Sequence, residues 1–252
     1  MPATYAIVLP ARNEEPCLGA VLDELAEVAR SLPAVLAVGL NATTDQSRAV
    51  AASRPGVLIG ESPVAGYGHG CLAAIQAVRA AGHRPSAWIF VSADGSNDPN
   101  DLPRLTAAYD RGFPMVIGQR TLRPANWQIF GARRALPNVT LGALTTALTG
   151  RPFCDIGPLR LIDDALLRRM DLRELVWGWT IEAQILACRL GARIKTLDVT
   201  ERPRLAGQQK VSAVSWRQSL RIGLSIAAAA CRTRCRSIEP LPVRPAHLGV
   251  AG

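Results

Sequence analysis

No stretch of this 252-residue chain stays apolar for the roughly eighteen consecutive residues that a membrane-spanning helix needs. The longest candidate, Ile222 to Cys231, is short and is flanked by Arg221 and Arg232. No basic-then-apolar leader is visible, because Met1 to Thr4 runs directly into the first expected strand. Aromatic residues make up 5% of the chain, while Ala, Leu and Val are frequent, a balance suited to helices packed on a sheet. The six cysteines show no metal-binding spacing. Cys231 and Cys235 stand four apart on an expected helix and the others are scattered, so buried thiols in a reduced, cytoplasmic protein are expected. There is no internal repeat and no low-complexity linker. No recognition motif with interleaved aromatics accompanies the positive charge, so no specific nucleic-acid partner is expected.

What is present is a large apolar fraction, 48%, enough for a sizeable core. The net charge of +9 is carried almost entirely by arginine and points to an anionic partner such as a nucleotide diphosphate or a lipid phosphate. Short apolar runs at Tyr5–Leu9, Val35–Leu40, Val57–Ile59, Trp88–Val91 and Met115–Ile117 alternate with helical patterns, which predicts right-handed parallel βαβ units. The second half is less regular. Asn126–Leu148 reads as helix interrupted at Pro137, and Asp155–Arg160 as a loop or short edge strand. Thr180–Leu190 reads as helix with Ile181, Ile185 and Cys188 toward the core, and Arg193–Val199 as strand. Glu201–Lys210 reads as a polar, basic loop, and Val214–Ala230 as helix with Leu220, Leu224 and Ala227 on one face. The expected organisation is one domain over 1–237, including a C-terminal basic helix, and a Pro-rich disordered tail over 238–252.

The stretch Trp88 to Pro99 organises the rest. Trp88-Ile89-Phe90-Val91 has the length and type of a buried parallel strand. It breaks into Ser92, Asp94, Ser96, Asn97 and Asp98, and Pro99 can open the next helix. Ligands of open α/β sheets bind at such carboxyl strand ends. An acid there can hold a divalent cation against a diphosphate, since Mg²⁺ takes one or two carboxylates plus phosphate oxygens. A plain Asp/Ser/Asn turn is the alternative.

Several motifs in order settle the comparison. Val8-Leu9-Pro10-Ala11-Arg12-Asn13-Glu14-Glu15 resembles the opening of the family 2 glycosyltransferases. Gly66-Tyr67-Gly68-His69-Gly70 is similar to their Gly-rich loop, Ser92-Ala93-Asp94 lies on their Asp-x-Asp metal motif, and Gly118-Gln119-Arg120 matches their Gly-Ser-Arg. Asp155-Ile156-Gly157-Pro158-Leu159-Arg160, Trp177-Gly178-Trp179-Thr180-Ile181-Glu182 and the closing run Arg202 to Lys210 resemble one subgroup, the dolichyl- and polyprenyl-phosphate sugar synthases. The resemblance covers roughly Ile7 to Ser212. It implies a GT-A-type nucleotide-binding α/β fold with a mostly parallel central sheet flanked by helices. It also implies an inverting hexosyltransferase that moves a sugar from a nucleotide sugar to a lipid phosphate or other acceptor.

Residue by residue, the resemblance implies that Pro10, Arg12, Glu14, Asn41, Gly68, Ser92, Asp94 and Arg120 hold the nucleotide sugar. Asp94 would be the ligand of Mg²⁺ or Mn²⁺. Catalytic roles fall to Glu182, Asp155, Arg204 and Lys210, the two basic residues neutralising the diphosphate leaving group. If the acceptor is a hydroxyl, Asp155 or Glu182 should be its general base; a lipid phosphate is already an anion and needs none. Glu182 could equally be a structural acid bonded to an arginine. Trp127, Trp177 and Trp179 could line the acceptor site or belong to the core. Two positions depart from the family pattern. Ser92 replaces the first acid of the metal motif, and Leu40, with Asn41 beside it, replaces the acid usual after the second strand. Both departures bear on metal dependence and donor identity, and they favour the alternative of a nucleotide-binding member without turnover. A polyprenyl phosphate implies a peripheral position at the inner face of a membrane. Val214–Ala230 with Arg232, Arg234 and Arg236 offers an attachment to anionic lipid, unless that helix packs on the core.

Overall fold

The computed structural model describes residues 4–121, 123–206 and 216–238. A seven-stranded sheet runs through it in the order β3-β2-β1-β4-β6-β5-β7. Its strands are β1 (Tyr5–Ala11), β2 (Ala34–Asn41), β3 (Leu58–Ser62), β4 (Ala87–Phe90), β5 (Met115–Gln119), β6 (Arg160–Asp163) and β7 (Ile194–Asp198). All neighbouring pairs are parallel except those of β6, which runs antiparallel to both β4 and β5. The helices are α1 (Glu15–Ser31), α2 (Ser47–Ala52), α3 (Tyr67–Ala80), α4 (Leu102–Asp110), α5 (Pro124–Thr149), α6 (Asp164–Met170), α7 (Trp179–Arg189) and α8 (Trp216–Cys235).

The apolar runs are continuous because both faces of the sheet are covered. Along β1, Ile7 and Leu9 point into a core shared with Leu18 and Leu22 of α1 and Leu105 of α4. Ala6 and Val8 point the other way, onto Ile75 of α3 and Leu186 of α7. Trp88 and Phe90 alternate with Ile89 across β4 in the same way. A third, smaller core forms where Leu141 of α5, Ile181 and Ile185 of α7, and Ile226 and Ala230 of α8 meet. Between them the second and third cores bury α7 on nearly every side.

Two expectations are corrected here, the edge strand and the broken helix. The segment read as a loop or edge strand continues into β6, an internal strand inserted between β4 and β5. Helix α5 runs through Pro137 without a break, since the lost hydrogen bond is outweighed by contacts of the second half with α7 and α8. On α8, Leu220 and Leu224 are 55% and 61% exposed, and Ile226, Ala229 and Ala230 are its buried face. Ile238, the first residue of the expected tail, packs against the second core. The remainder of that tail, 239–252, lies outside the described residues.

Candidate active site

The carboxyl ends of β1, β2 and β4 lie side by side, and the loops that leave them build one site. Asn13 and Ala42, just beyond β1 and β2, both have positive φ, 54° and 45°. Strain of this kind in non-glycine residues collects at functional sites. Asn13 Oδ1 accepts the Thr44 amide at 2.7 Å, which fastens the two loops together.

Beyond β4, Asp94 Oδ1 accepts the Ser96 amide and Asn97 Oδ1 accepts the Ser92 amide, so the turn is wired internally. A second segment crosses it. Arg202 N donates to Ser96 O at 2.8 Å, Leu205 N donates to Asp94 O at 3.1 Å, and Asn97 bridges to Glu201. Leu205 covers Gly95, whose φ of 79° and lack of a side chain are both needed, since a Cβ would stand 2.5 Å from Leu205 Cγ. Arg202 further binds Gly95 O and Glu24. This strap delivers Arg204 to the site: its Nη1 lies 3.5 Å from Asp94 Oδ2, and its Nη2 forms an ion pair with Glu14. Cys17 Sγ completes the cluster, 3.3 Å from Glu14 Oε2 and 3.7 Å from Arg204 Nη2. Burial, then the adjoining Glu14 carboxylate, pushes its thiol up to about 12, so it stays protonated at neutral pH. Cys17 escaped the sequence reading, although it stands three residues after Glu14, on the same side of the first turn of α1.

Among the described residues, no group of three His, Cys, Asp or Glu side chains could hold a metal ion by itself. Asp94 offers one carboxylate, with Ser92 two residues before it. That donor set fits a cation completed by diphosphate oxygens. Restoring the second acid with Ser92→Asp is expected to tighten Mn²⁺ binding in the presence of nucleotide by about tenfold, one strong contact's worth at RT. Isothermal titration checks this; unchanged affinity would place the cation away from residue 92.

The other residues singled out by sequence fall into separate groups. Asp155 is fully buried, with Oδ2 accepting the amides of Arg120 and Thr121 and Oδ1 that of Gly157. Arg120 is buried beside it, 3.5 Å from Asp155 and 3.6 Å from Glu201, and also binds Asn138. Glu182 is buried too. Its Oε2 accepts the amides of Arg173 and Glu174, and its Oε1 pairs with Arg236 at 3.3 Å. Burial raises its pKa, against the opposing pull of those two amides. The glycines of the Gly66–Gly70 loop pack closely against protein. A Cβ on Gly68 would stand 2.7 Å from Leu175 Cα, and one on Gly70 2.9 Å from Pro10 Cβ. The first amides of α3 donate to Val176 O and Leu175 O. Asn41 is buried and spent locally, donating to Ala11 O and accepting the Gly66 amide. Arg12 is exposed at the rim. Lys210 lies outside the described residues. Sequence thus names residues of three clusters, in one of which Glu14, Asp94 and Arg204 meet.

Around it, Trp179 is buried and edge-on to Phe90, whereas Trp127 and Trp177 are exposed. Arg232, Arg234 and Arg236, at the end of α8 and just beyond it, have partners within the chain. Arg232 pairs with Glu174, Arg234 donates to Leu148 O, and Arg236 binds Asp171 and Glu182. No helix among the described residues is long and apolar enough to cross a membrane.

The family model for glycosyl transferase family 2 matches residues 6–175. An uncharacterized glycosyltransferase of Mycobacterium tuberculosis is 32% identical over 206 residues, covering 82% of this chain and 88% of that protein. An undecaprenyl-phosphate mannosyltransferase of Micrococcus luteus is 31% identical over 134 residues, 49% of this chain and 52% of that protein. Among solved structures, glucosyl-3-phosphoglycerate synthase from Mycobacterium tuberculosis, in complex with Mn²⁺, uridine diphosphate and glucosyl-3-phosphoglycerate, superposes with a TM-score of 0.68 at 17% identity. It is matched over 96% of this chain and 81% of that one. Mannosyl-3-phosphoglycerate synthase from Rubrobacter xylanophilus gives 0.64 at 17% identity, over 91% of this chain and 73% of that one. These two likenesses establish the fold.

Proposed function

The chain belongs to glycosyl transferase family 2, with the GT-A fold, and from that premise we propose that it transfers a hexose, with inversion, from a nucleoside-diphosphate sugar to the phosphate oxygen of a polyprenyl phosphate. The observation that carries this reading is the state of the two candidate bases. Both are buried and engaged, Asp155 by three backbone amides and Glu182 by two amides and Arg236, which supports a reading in which neither takes a proton from a substrate hydroxyl. A phosphate acceptor needs no base. Its oxygen attacks the anomeric carbon, the bond from that carbon to the diphosphate breaks, and the nucleoside diphosphate leaves with the electron pair. Arg204 stands at the strand end where that charge develops. A divalent cation held by Asp94 and the diphosphate would add charge neutralisation there. The half-length match to an undecaprenyl-phosphate mannosyltransferase and the exposed Leu220 and Leu224 of α8 support an apolar acceptor tail.

The test compares two acceptors that differ only in the headgroup. With UDP-glucose or GDP-mannose and Mn²⁺, label is expected to pass to polyprenyl phosphate and not to the matching polyprenol. Equal transfer to the alcohol would overturn the phosphate reading. A second reading, a nucleotide binder without turnover, is favoured by Arg204 already neutralising Asp94. It requires nucleotide binding with transfer to neither acceptor.

A further inference from the structure

Arg204 is held in place by more than its two carboxylates. Its Nε donates to Ala206 O at 2.6 Å, and the neighbouring Leu205 and Arg202 are fastened by backbone bonds to Asp94 and Ser96. The guanidinium is therefore presented to Asp94 by a segment anchored on the metal motif itself. Its side chain is 10% exposed, with Glu14 at 11% and Asp94 at 23%. Two carboxylates from different strand ends, at such low exposure, need a positive partner. In a family member with both acids of the metal motif, a lone arginine would leave an excess of negative charge for a metal to neutralise. Here Ser92 removes one acid, and Arg204 matches what remains more closely.

Resting on the donor-site reading above, we infer that Arg204 is a built-in counter-ion that competes with the divalent cation for Asp94 and yields it only when a nucleotide diphosphate binds. The diphosphate draws the guanidinium onto its own oxygens, since arginine pairs with phosphate as well as with carboxylate. Asp94 Oδ2 is then released to the cation, which the phosphate oxygens complete. Nucleotide and metal therefore bind with positive coupling, and by linkage each raises the affinity of the other by the same factor. A dication approaching Asp94 in the absence of nucleotide meets the arginine charge at short range, a repulsion that persists because the pair is poorly screened. Glu14 remains with Arg204 in both states and serves as the pivot.

Mn²⁺ binding followed by electron paramagnetic resonance reads this without turnover. The full chain is titrated alone, with UDP and with GDP. The wild type is expected to bind Mn²⁺ weakly alone and at least about tenfold more tightly with one of the two nucleotides. Arg204→Gln is expected to bind Mn²⁺ alone about tenfold more tightly than the wild type and to gain less from nucleotide. Arg204→Lys, which keeps the charge, should behave like the wild type and shows that the effect is not a disturbed loop. Adding Asp94→Asn to Arg204→Gln should abolish the gain. If Arg204→Gln binds Mn²⁺ alone no better than the wild type, or if the gain survives Asp94→Asn, the counter-ion is disproved while nucleotide binding by the wild type keeps the donor site. If neither Mn²⁺ nor nucleotide binds any of these proteins, the donor-site reading fails and this inference with it.

Discussion

Asp94→Asn is expected to lower kcat/KM by about a hundredfold or more, whereas Ser92→Ala is expected to cost less than about tenfold. Asp94 is the acid that both Arg204 and a cation share, and its second oxygen also holds the turn through the Ser96 amide. Asparagine keeps the shape and one acceptor but removes the charge. A cation would then have only phosphate oxygens and neutral groups to hold it, and Arg204 would retain Glu14 alone. Ser92 contributes its amide to Asn97, and that bond survives the loss of the hydroxyl. Initial rates at saturating donor over a Mn²⁺ series check the pair. Losses of similar size in both variants would mean that residue 92, not Asp94 alone, carries the cation.

Asp155→Ala is expected to be the most destabilising single change in the site region, by about 3–5 kcal/mol, the cost of leaving a buried charge without its partner. Arg120 would keep Glu201 but lose the nearer carboxylate, and the amides of Arg120, Thr121 and Gly157 would lose their acceptor in a dry interior. For a chain of this length that is a fall in Tm of roughly 10 °C. Calorimetry and kinetics together decide the residue's role. A scaffold residue lowers Tm while enzyme assayed well below it keeps most of its kcat. An unchanged Tm with kcat down a hundredfold would make Asp155 the base after all, and a hydroxyl acceptor would follow.

The parallel half of the sheet is legible in sequence because β1, β2, β4 and β5 are buried on both faces and read as unbroken apolar runs. Strand β6 is not legible, since it has four residues and begins with Arg160. That arginine is buried, and the carbonyls of Gly157, Pro158 and Thr180 take its donors; no periodicity foretells such a partner set. The site shows the same division. Glu14, Asp94 and Arg204 are legible as motif residues, but that one guanidinium spans both acids depends on a strap arriving from beyond β7. Glu182 is legible as important and open in role. The structural alternative agrees with its contacts: two amides of the loop before α7 and Arg236 of the C-terminal segment, far away in sequence. The glycines of the Gly66–Gly70 loop are legible as necessary, but their crowding partner is protein, namely Leu175, Trp179 and Pro10.

Strand order also fixes the sequence in which, as the chain leaves the ribosome, the sheet can assemble. Strands β3, β2, β1 and β4 are complete by Phe90 and pair among themselves, so they can assemble early. The open edge of β4 must then wait for β6, because β5 has no place beside β4 and joins only through it. Throughout that interval an unpaired edge is exposed to neighbouring chains, and α5 is made while it stays open. Glu14 and Asp94 are also present early, while the arginine that neutralises both follows the last strand. The nascent chain carries its negative charge first and its counter-charge last. A chain cut short anywhere before Arg204 therefore has the cradle but not the clasp.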